Sequence, residues 1–469
     1  MSTSSRLAGV ALMVGLSTIG LPAPASAVAP PGIDEGALGA AMAIAAAAGP
    51  LEPTEQRSVC AEPTLAGAPP RDPPPSQRLL DLPAAWQFSR GGGQKVAVID
   101  TGVNRHPRLP ALEPGGDFVS NSDGTADCDG HGTLVAGVIA AAPSPDDGFA
   151  GVAPDAQILA IRQLSLAYEA KDRPGGDVAG QITTAGYGTV ATLAAAVVRA
   201  VDTGATVINI SEVACAPSGA APADAALGAA VKYAYDRNVV VVAAAGNVQQ
   251  GGACEQNEGT DWGAVRTVVS PAWFSPYVLS VASVDADGRP SPFSMHGPWV
   301  GVAAPGHGIV SLDSRPGGTG VVDSVQTGEG VGSIDGTSFS CAYVSGLAAL
   351  VRARFPELSA QQVMDRITRT AMQPGSGRDD RIGAGLIDPL AALTAQLPAQ
   401  PIGTGADVPR ALPAPAPAPY VDPLPRTVAT VGTLTLLSLL GVGYALSVPF
   451  RRQRGSADPA EDTGAGEGL

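Results

Sequence analysis

Lys95-Val96-Ala97-Val98-Ile99-Asp100-Thr101-Gly102 is the stretch that decides how this chain of 469 residues is read. Val96 to Ile99 form an unbroken apolar run, with none of the polar alternation of a half-exposed strand. Such a run suits a strand covered on both faces. Its C-terminal tip carries a carboxylate, and open α/β sheets place their sites at that end. An acid at a strand–loop junction is common, so this stretch alone sets the architecture and leaves the chemistry open.

Similar runs recur further along. Residues 157–163, 205–211, 238–245 and 277–284 read as strands, and 239–242 are four consecutive valines. Residues 132–142, 189–201, 224–236, 337–355 and 360–371 carry helical periodicity. Helices between buried strands imply right-handed crossovers. The expected fold class is therefore α/β, with a doubly wound parallel sheet. This domain is assigned to residues 76–397. With 45% hydrophobic and 15% charged residues the chain should be largely globular. A formal charge of −15 without a Lys/Arg cluster in the main body argues against a nucleic-acid partner.

The flanks read differently. Arg6, the apolar run 7–19 and Ala25-Ser26-Ala27 have the pattern of a secretory signal, giving a signal peptide over 1–27. An Ala/Pro-rich extension follows over 28–75, with a short helix expected at 37–48. Residues 398–426 form a Pro/Ala-rich linker, extended and semi-rigid. Residues 427–448 carry no charge. At 1.5 Å per residue they would reach about 33 Å as a helix, enough to cross a hydrocarbon core. Arg451, Arg452 and Arg454 come next and assign 449–469 to a cytoplasmic tail. The expected location is the plasma membrane, single-pass, with the main domain outside. Leu424-Pro425-Arg426-Thr427 resembles a sortase signal, but Val428 stands where that signal has glycine.

Two further motifs carry chemistry. Asp129-Gly130-His131-Gly132-Thr133 leads into an apolar helix, which would hold a histidine on rigid backbone between glycines that permit close approach. Gly336-Thr337-Ser338-Phe339-Ser340 opens a long apolar helix. A serine there sits among free backbone N–H groups and the positive end of the helix dipole. Alone it could be a plain helix cap. His106, His296 and His307 have no nucleophile or ligand cluster and read as surface or loop residues. No Cys/His spacing suggests zinc and no acidic loop suggests calcium, so neither a metal nor a cofactor is expected.

Asp, His and Ser in this order, each in such a setting, resemble the triad of the subtilisin-like serine proteases. The resemblance covers the whole of 76–397. It implies a serine endopeptidase acting on a polypeptide substrate, with Asp100, His131 and Ser338 as catalytic triad. It also implies that Asn247, in Ala243-Ala244-Ala245-Gly246-Asn247, donates its amide to the oxyanion. The order of segments, with one membrane helix at the end, resembles the mycosins, membrane-anchored proteases of type VII secretion. That resemblance implies a type VII membrane complex as partner and a processing role, with a structural role in the complex as the alternative.

Some positions depart from the subtilase pattern. Glu212-Val213-Ala214-Cys215 stands where many relatives have a Gly-rich pocket wall, so specificity is not carried over. Residues 163–188 look like an inserted loop.

The chain has five cysteines. Cys341 lies one turn after Ser338 on a helix that must be buried, and reads as unpaired. The other four allow three pairings. Cys215 and Cys254 follow the ends of successive strands, which favours Cys215–Cys254 and leaves Cys60–Cys128. The second bond would tie the extension to the domain near His131, making it a permanent wrap and not a removable inhibitor.

Overall fold

The structure is a computed structural model that describes residues 28–172, 186–219, 223–249, 252–259, 261–327, 330–375, 377–397 and 431–444. The signal segment 1–27, the linker 398–426 and the tail 449–469 lie outside the described residues. The chain divides into two units, Met1–Leu397 and Pro398–Leu469.

In the first unit the extension supplies helix α1 (Leu38–Ala47). The domain then runs β1 (Lys95–Asp100), β2 (Leu112–Asp117), α2 (His131–Ala140), β3 (Gln157–Arg162), α3 (Val190–Asp202) and β4 (Val207–Ile210). It continues with α4 (Ala225–Asp236), β5 (Val240–Ala244), β6 (Leu279–Val284), β7 (Val300–Pro305), α5 (Thr337–Arg354) and α6 (Ala360–Thr370). The seven strands form one sheet in the order β7-β6-β5-β4-β1-β3-β2. Every pairing in it is parallel.

Alternation along each strand sends side chains to two layers. Val96 and Val98 join a core with α2 and α5, while Ala97 and Ile99 join another with α3 and α4. Both faces are covered, which is why the runs are apolar without alternation. Helix α5 is buried from Thr337 to Val351 and fills one layer.

Both edge strands escape a reading of the sequence. β2 reads Leu-Glu-Pro-Gly-Gly-Asp, with no apolar run. Its register shifts between Pro114 and Gly116. A Cβ at Gly115 would lie 2.6 Å from Ile161 Cγ1 and 2.7 Å from Ala160 O, so only glycine lets this edge close on β3. β7 is interrupted by Gly301, where a Cβ would meet Leu279 Cδ1 at 2.6 Å. Glycine removes the β signal at the places where backbone approach demands it.

The extension is fastened at several points. Ala41 and Ala45 of α1 are buried in the layer of α3 and α4. Thr54–Gln56 pairs antiparallel with Tyr168–Ala170. Pro63–Thr64 pairs antiparallel with Ser324 and Val325. The stretch 163–188 is thus no simple loop: Tyr168–Ala170 is a strand, because the extension offers it a partner, while 173–185 lie outside the described residues.

Disulfides join Cys60 to Cys128 and Cys215 to Cys254, and Cys341 is free and buried. Burial raises the Cys341 thiol pKa, so it stays protonated and unreactive. The Cys60–Cys128 bond closes a long loop, with a sequence separation of 68. Replacing both cysteines by serine is expected to cost about 2–4 kcal/mol of stability. Reversible denaturant unfolding checks this; an unchanged midpoint would mean that α1 and the ribbons hold the extension by themselves.

In the second unit residues 431–444 are helical with every side chain exposed. Among the described residues no helix is long and apolar enough to cross a membrane. The rest of 427–448 lies outside the described residues.

Candidate active site

The C-terminal ends of β1, β4 and β5 and the starts of α2 and α5 meet at one cleft. Asp100 ends β1 and is fully buried. Its Oδ1 accepts from the Thr101 amide at 2.7 Å. The chain then turns at Gly102, whose φ of +105° and contact with the Ala126 carbonyl leave no room for a side chain.

His131 is the first residue of α2. Asp127 holds this helix start in place. One of its oxygens accepts from the Thr133 amide at 2.9 Å and hydroxyl at 2.6 Å. The other accepts from the Gly130 amide at 2.7 Å and from Thr101 Oγ1 at 2.9 Å. Thr101 Oγ1 in turn accepts from the Gly132 amide at 2.9 Å. Strand end and helix start are thereby locked together, and burial pushes the Asp127 carboxyl up to about 6. Asp127 is missing from the sequence-based candidates; an acid four residues before a helix-opening histidine is the signal that could have found it.

The three triad candidates come together. His131 Nδ1 lies 2.7 Å from Asp100 Oδ1, and His131 Nε2 lies 2.9 Å from Ser338 Oγ. Ser338 is in the first turn of α5 and 6% exposed. The Phe339 ring packs at 5.3 Å from the imidazole. Burial disfavours the charged form of His131, but Asp100, Glu212 and Asp127 outweigh it and raise its pKa.

Asn247 follows β5. Its Oδ1 accepts from the Thr337 amide and hydroxyl, each at 3.0 Å. The carbonyl end is therefore spoken for, which leaves the Nδ2 end for the cleft. A Cβ at Gly336 would lie 2.9 Å from Ser338 Oγ and 3.4 Å from Asn247 Nδ2. The serine hydroxyl and the amide thus border one small space that Gly336 keeps open.

Glu212, which the sequence suggests as part of a pocket wall, reaches further than that. Its Oε1 is 3.8 Å from His131 Nδ1. Among the described residues, Asp100, His131 and Glu212 are the group whose atoms could gather round a metal ion. An ion there would compete with the Nδ1–Oδ1 hydrogen bond, so the arrangement is better suited to holding a proton.

The cleft is open, with a volume of about 1130 Å³. Ser58 to Glu62 of the extension line it, as do Glu212, Val213 and Asn247. Of the other histidines, His307 is exposed and pairs with Asp335 at 2.9 Å, and His296 is half-buried. His106 is a loop residue but not a surface one: it is buried, and its Nδ1 accepts from the Arg108 amide at 3.1 Å.

Residues 91–385 match the Subtilase family. The chain is 45% identical over 449 residues to "Mycosin-3" of Mycobacterium tuberculosis, covering 92% of this chain and 95% of that protein. It is similar to the solved structure described as "Structure of a serine protease MycP1, an essential component of the type VII (ESX-1) secretion system". That likeness has a TM-score of 0.72 at 46% identity, over 78% of this chain and all of the other. It is also similar to a chain of "an intact ESX-5 inner membrane complex", with a TM-score of 0.73 at 42% identity, over 90% of this chain and all of the other. The chain belongs to the subtilase family of serine endopeptidases, and within it to the mycosins.

Proposed function

We propose that this chain is a membrane-anchored endopeptidase in which Ser338, His131 and Asp100 cleave a polypeptide exported by a type VII secretion system. The observation that carries the reading is the continuous relay from Ser338 Oγ through both imidazole nitrogens to Asp100, at 2.9 and 2.7 Å. Ser338 Oγ attacks the scissile carbonyl carbon while His131 Nε2 takes its proton. The same nitrogen returns that proton to the leaving amine as the acyl-enzyme forms. Water, deprotonated by His131, then releases the acid and restores Ser338. Asp100 holds the tautomer and stabilises the imidazolium. Asn247 Nδ2 and the Ser338 amide, free in the first helical turn, stabilise the oxyanion.

The similar secretion-system proteins support a place beside a secretion channel. A signal peptide over 1–27, a spacer over 398–426, a membrane helix over 427–448 and a cytoplasmic tail fit that place. The extension serves as a permanent wrap, since a disulfide, two ribbons and α1 all retain it. A structural role in the complex is the second reading, favoured by the likeness to a chain of an assembled membrane complex.

Terminal peptide sequencing of exported proteins in a Ser338→Ala strain tests the reading. New uncut termini with export intact support processing. Export that survives Ser338→Ala but fails on full deletion supports the structural role. Ending the chain after Pro425 is expected to release active enzyme from the membrane fraction; a truncated protein that still sediments with membranes would place the anchor elsewhere.

A further inference from the structure

Glu212 has no task in the mechanism above, yet its carboxylate lies 3.8 Å from the Nδ1 of His131. That nitrogen already donates to Asp100 Oδ1. That nitrogen therefore lies close to two carboxylates, one fully buried and one on the cleft wall with 29% of its side chain exposed.

Of the other acids near the site, Glu62 is exposed on the extension and the rest are committed. Asp127 binds the start of α2 with both oxygens. Asp129 takes the Ser165 hydroxyl at 2.5 Å and the Leu166 amide at 2.8 Å. Asp335 takes the Gly308 amide at 2.7 Å and the Ser333 hydroxyl at 2.6 Å. Among the described residues Glu212 has no hydrogen-bond partner, and its one charged neighbour of opposite sign is His131. The charged groups facing His131 are Asp100 on β1, Asp127 before α2 and Glu212 beyond β4. Those facing Glu212 are His131, Asp100 and Asp129. No Lys or Arg among the described residues lines the cleft to offset them.

We infer that Glu212 is a positioning residue of the catalytic site, a second carboxylate close to Nδ1 of His131 that, together with Asp100, stabilises the protonated ring. This rests on the triad reading and extends it. Burial raises the Glu212 carboxyl itself, so its charge responds to pH together with the ring. Hydrolysis needs a neutral His131 as base. Neighbouring anions favour the protonated ring, so activity on the acid side fails at a higher pH than an ordinary histidine, near 6.5, would give. A unit charge at this distance, in an effective dielectric between about 20 and 80, moves the ring by about one to three pH units.

The test is a titration of the full-length chain with 15N-labelled histidine, in the Ser338→Ala background. No turnover is needed, so failure of the protease reading and failure of this inference are separate results. Adding Glu212→Gln is expected to lower the His131 midpoint by about one unit or more, while Glu212→Asp leaves it close to the parent. The signals of His106, His296 and His307 report that the fold is kept. With Ser338 present, the acid limb of kcat/KM should move down by the same amount in Glu212→Gln. A midpoint and limb that stay at the parent values in Glu212→Gln would overturn the inference, whatever the variant does to the rate.

Discussion

Purified Ser338→Ala is expected to lose at least about a thousandfold in peptide-bond hydrolysis while remaining folded. The substitution removes one hydroxyl, hydrogen-bonded to His131 at 2.9 Å, from the first turn of a helix that is buried through Val351. Loss of one such bond costs about 0.5–1.5 kcal/mol, a small change for a domain of this size. Activity and stability should therefore part company. Circular dichroism and a denaturant midpoint close to wild type, beside a vanished rate on a peptide substrate, is the expected pair of results. Turnover above about a thousandth of wild type would sink the assignment of Ser338 as nucleophile.

The second large effect is expected at Gly132, which does not line the cleft. A Cβ there would overlap the Gly102 carbonyl oxygen and lie 3.0 Å from Asp100 Cβ. Both obstacles belong to the strand end that holds Asp100, and neither is a flexible side-chain tip. Gly132→Ala must push the start of α2 away from β1, and His131 travels with it. Overpacking of this kind costs about 1–3 kcal/mol. The displaced imidazole should lower kcat/KM by about a hundredfold, since such geometry tolerates little error. Gly39→Ala is the contrast: it lies in α1 with nothing within 4 Å of the added methyl, and should be neutral or slightly stabilising. Equal activity in Gly132→Ala and Gly39→Ala would show that the tight helix–strand contact does not hold the site.

What is legible in the sequence follows from how much each element owes to its own residues. Val96 to Ile99 and Val239 to Val242 announce buried strands because apolar side chains on both faces are a local property. Asp100, His131 and Ser338 stand at element ends with a glycine one or two residues away, so their motifs can be found separately. The hydrogen bonds that join them at 2.7 and 2.9 Å come from topology, which puts β1, α2 and α5 at one end of the sheet.

The parts that escape depend on partners far away in the chain. β2 becomes a strand only because β3 offers an edge and Gly115 lets it approach. Tyr168–Ala170 becomes a strand only because the extension lies beside it. Glu212 reads as a change in pocket lining, since its position next to Ser211 gives no hint that His131 is 3.8 Å away. His106 reads as a loop residue, and it is one, but the loop is folded inward.

The central claim is that Ser338 is activated by His131. Its most direct measurement is covalent labelling with a fluorophosphonate followed by peptide mass mapping, in wild type and in His131→Ala. An activated serine gives one labelled peptide, the one that holds Ser338, and the label disappears in His131→Ala. Label on another residue, or on Ser338 at the same rate without His131, would contradict it.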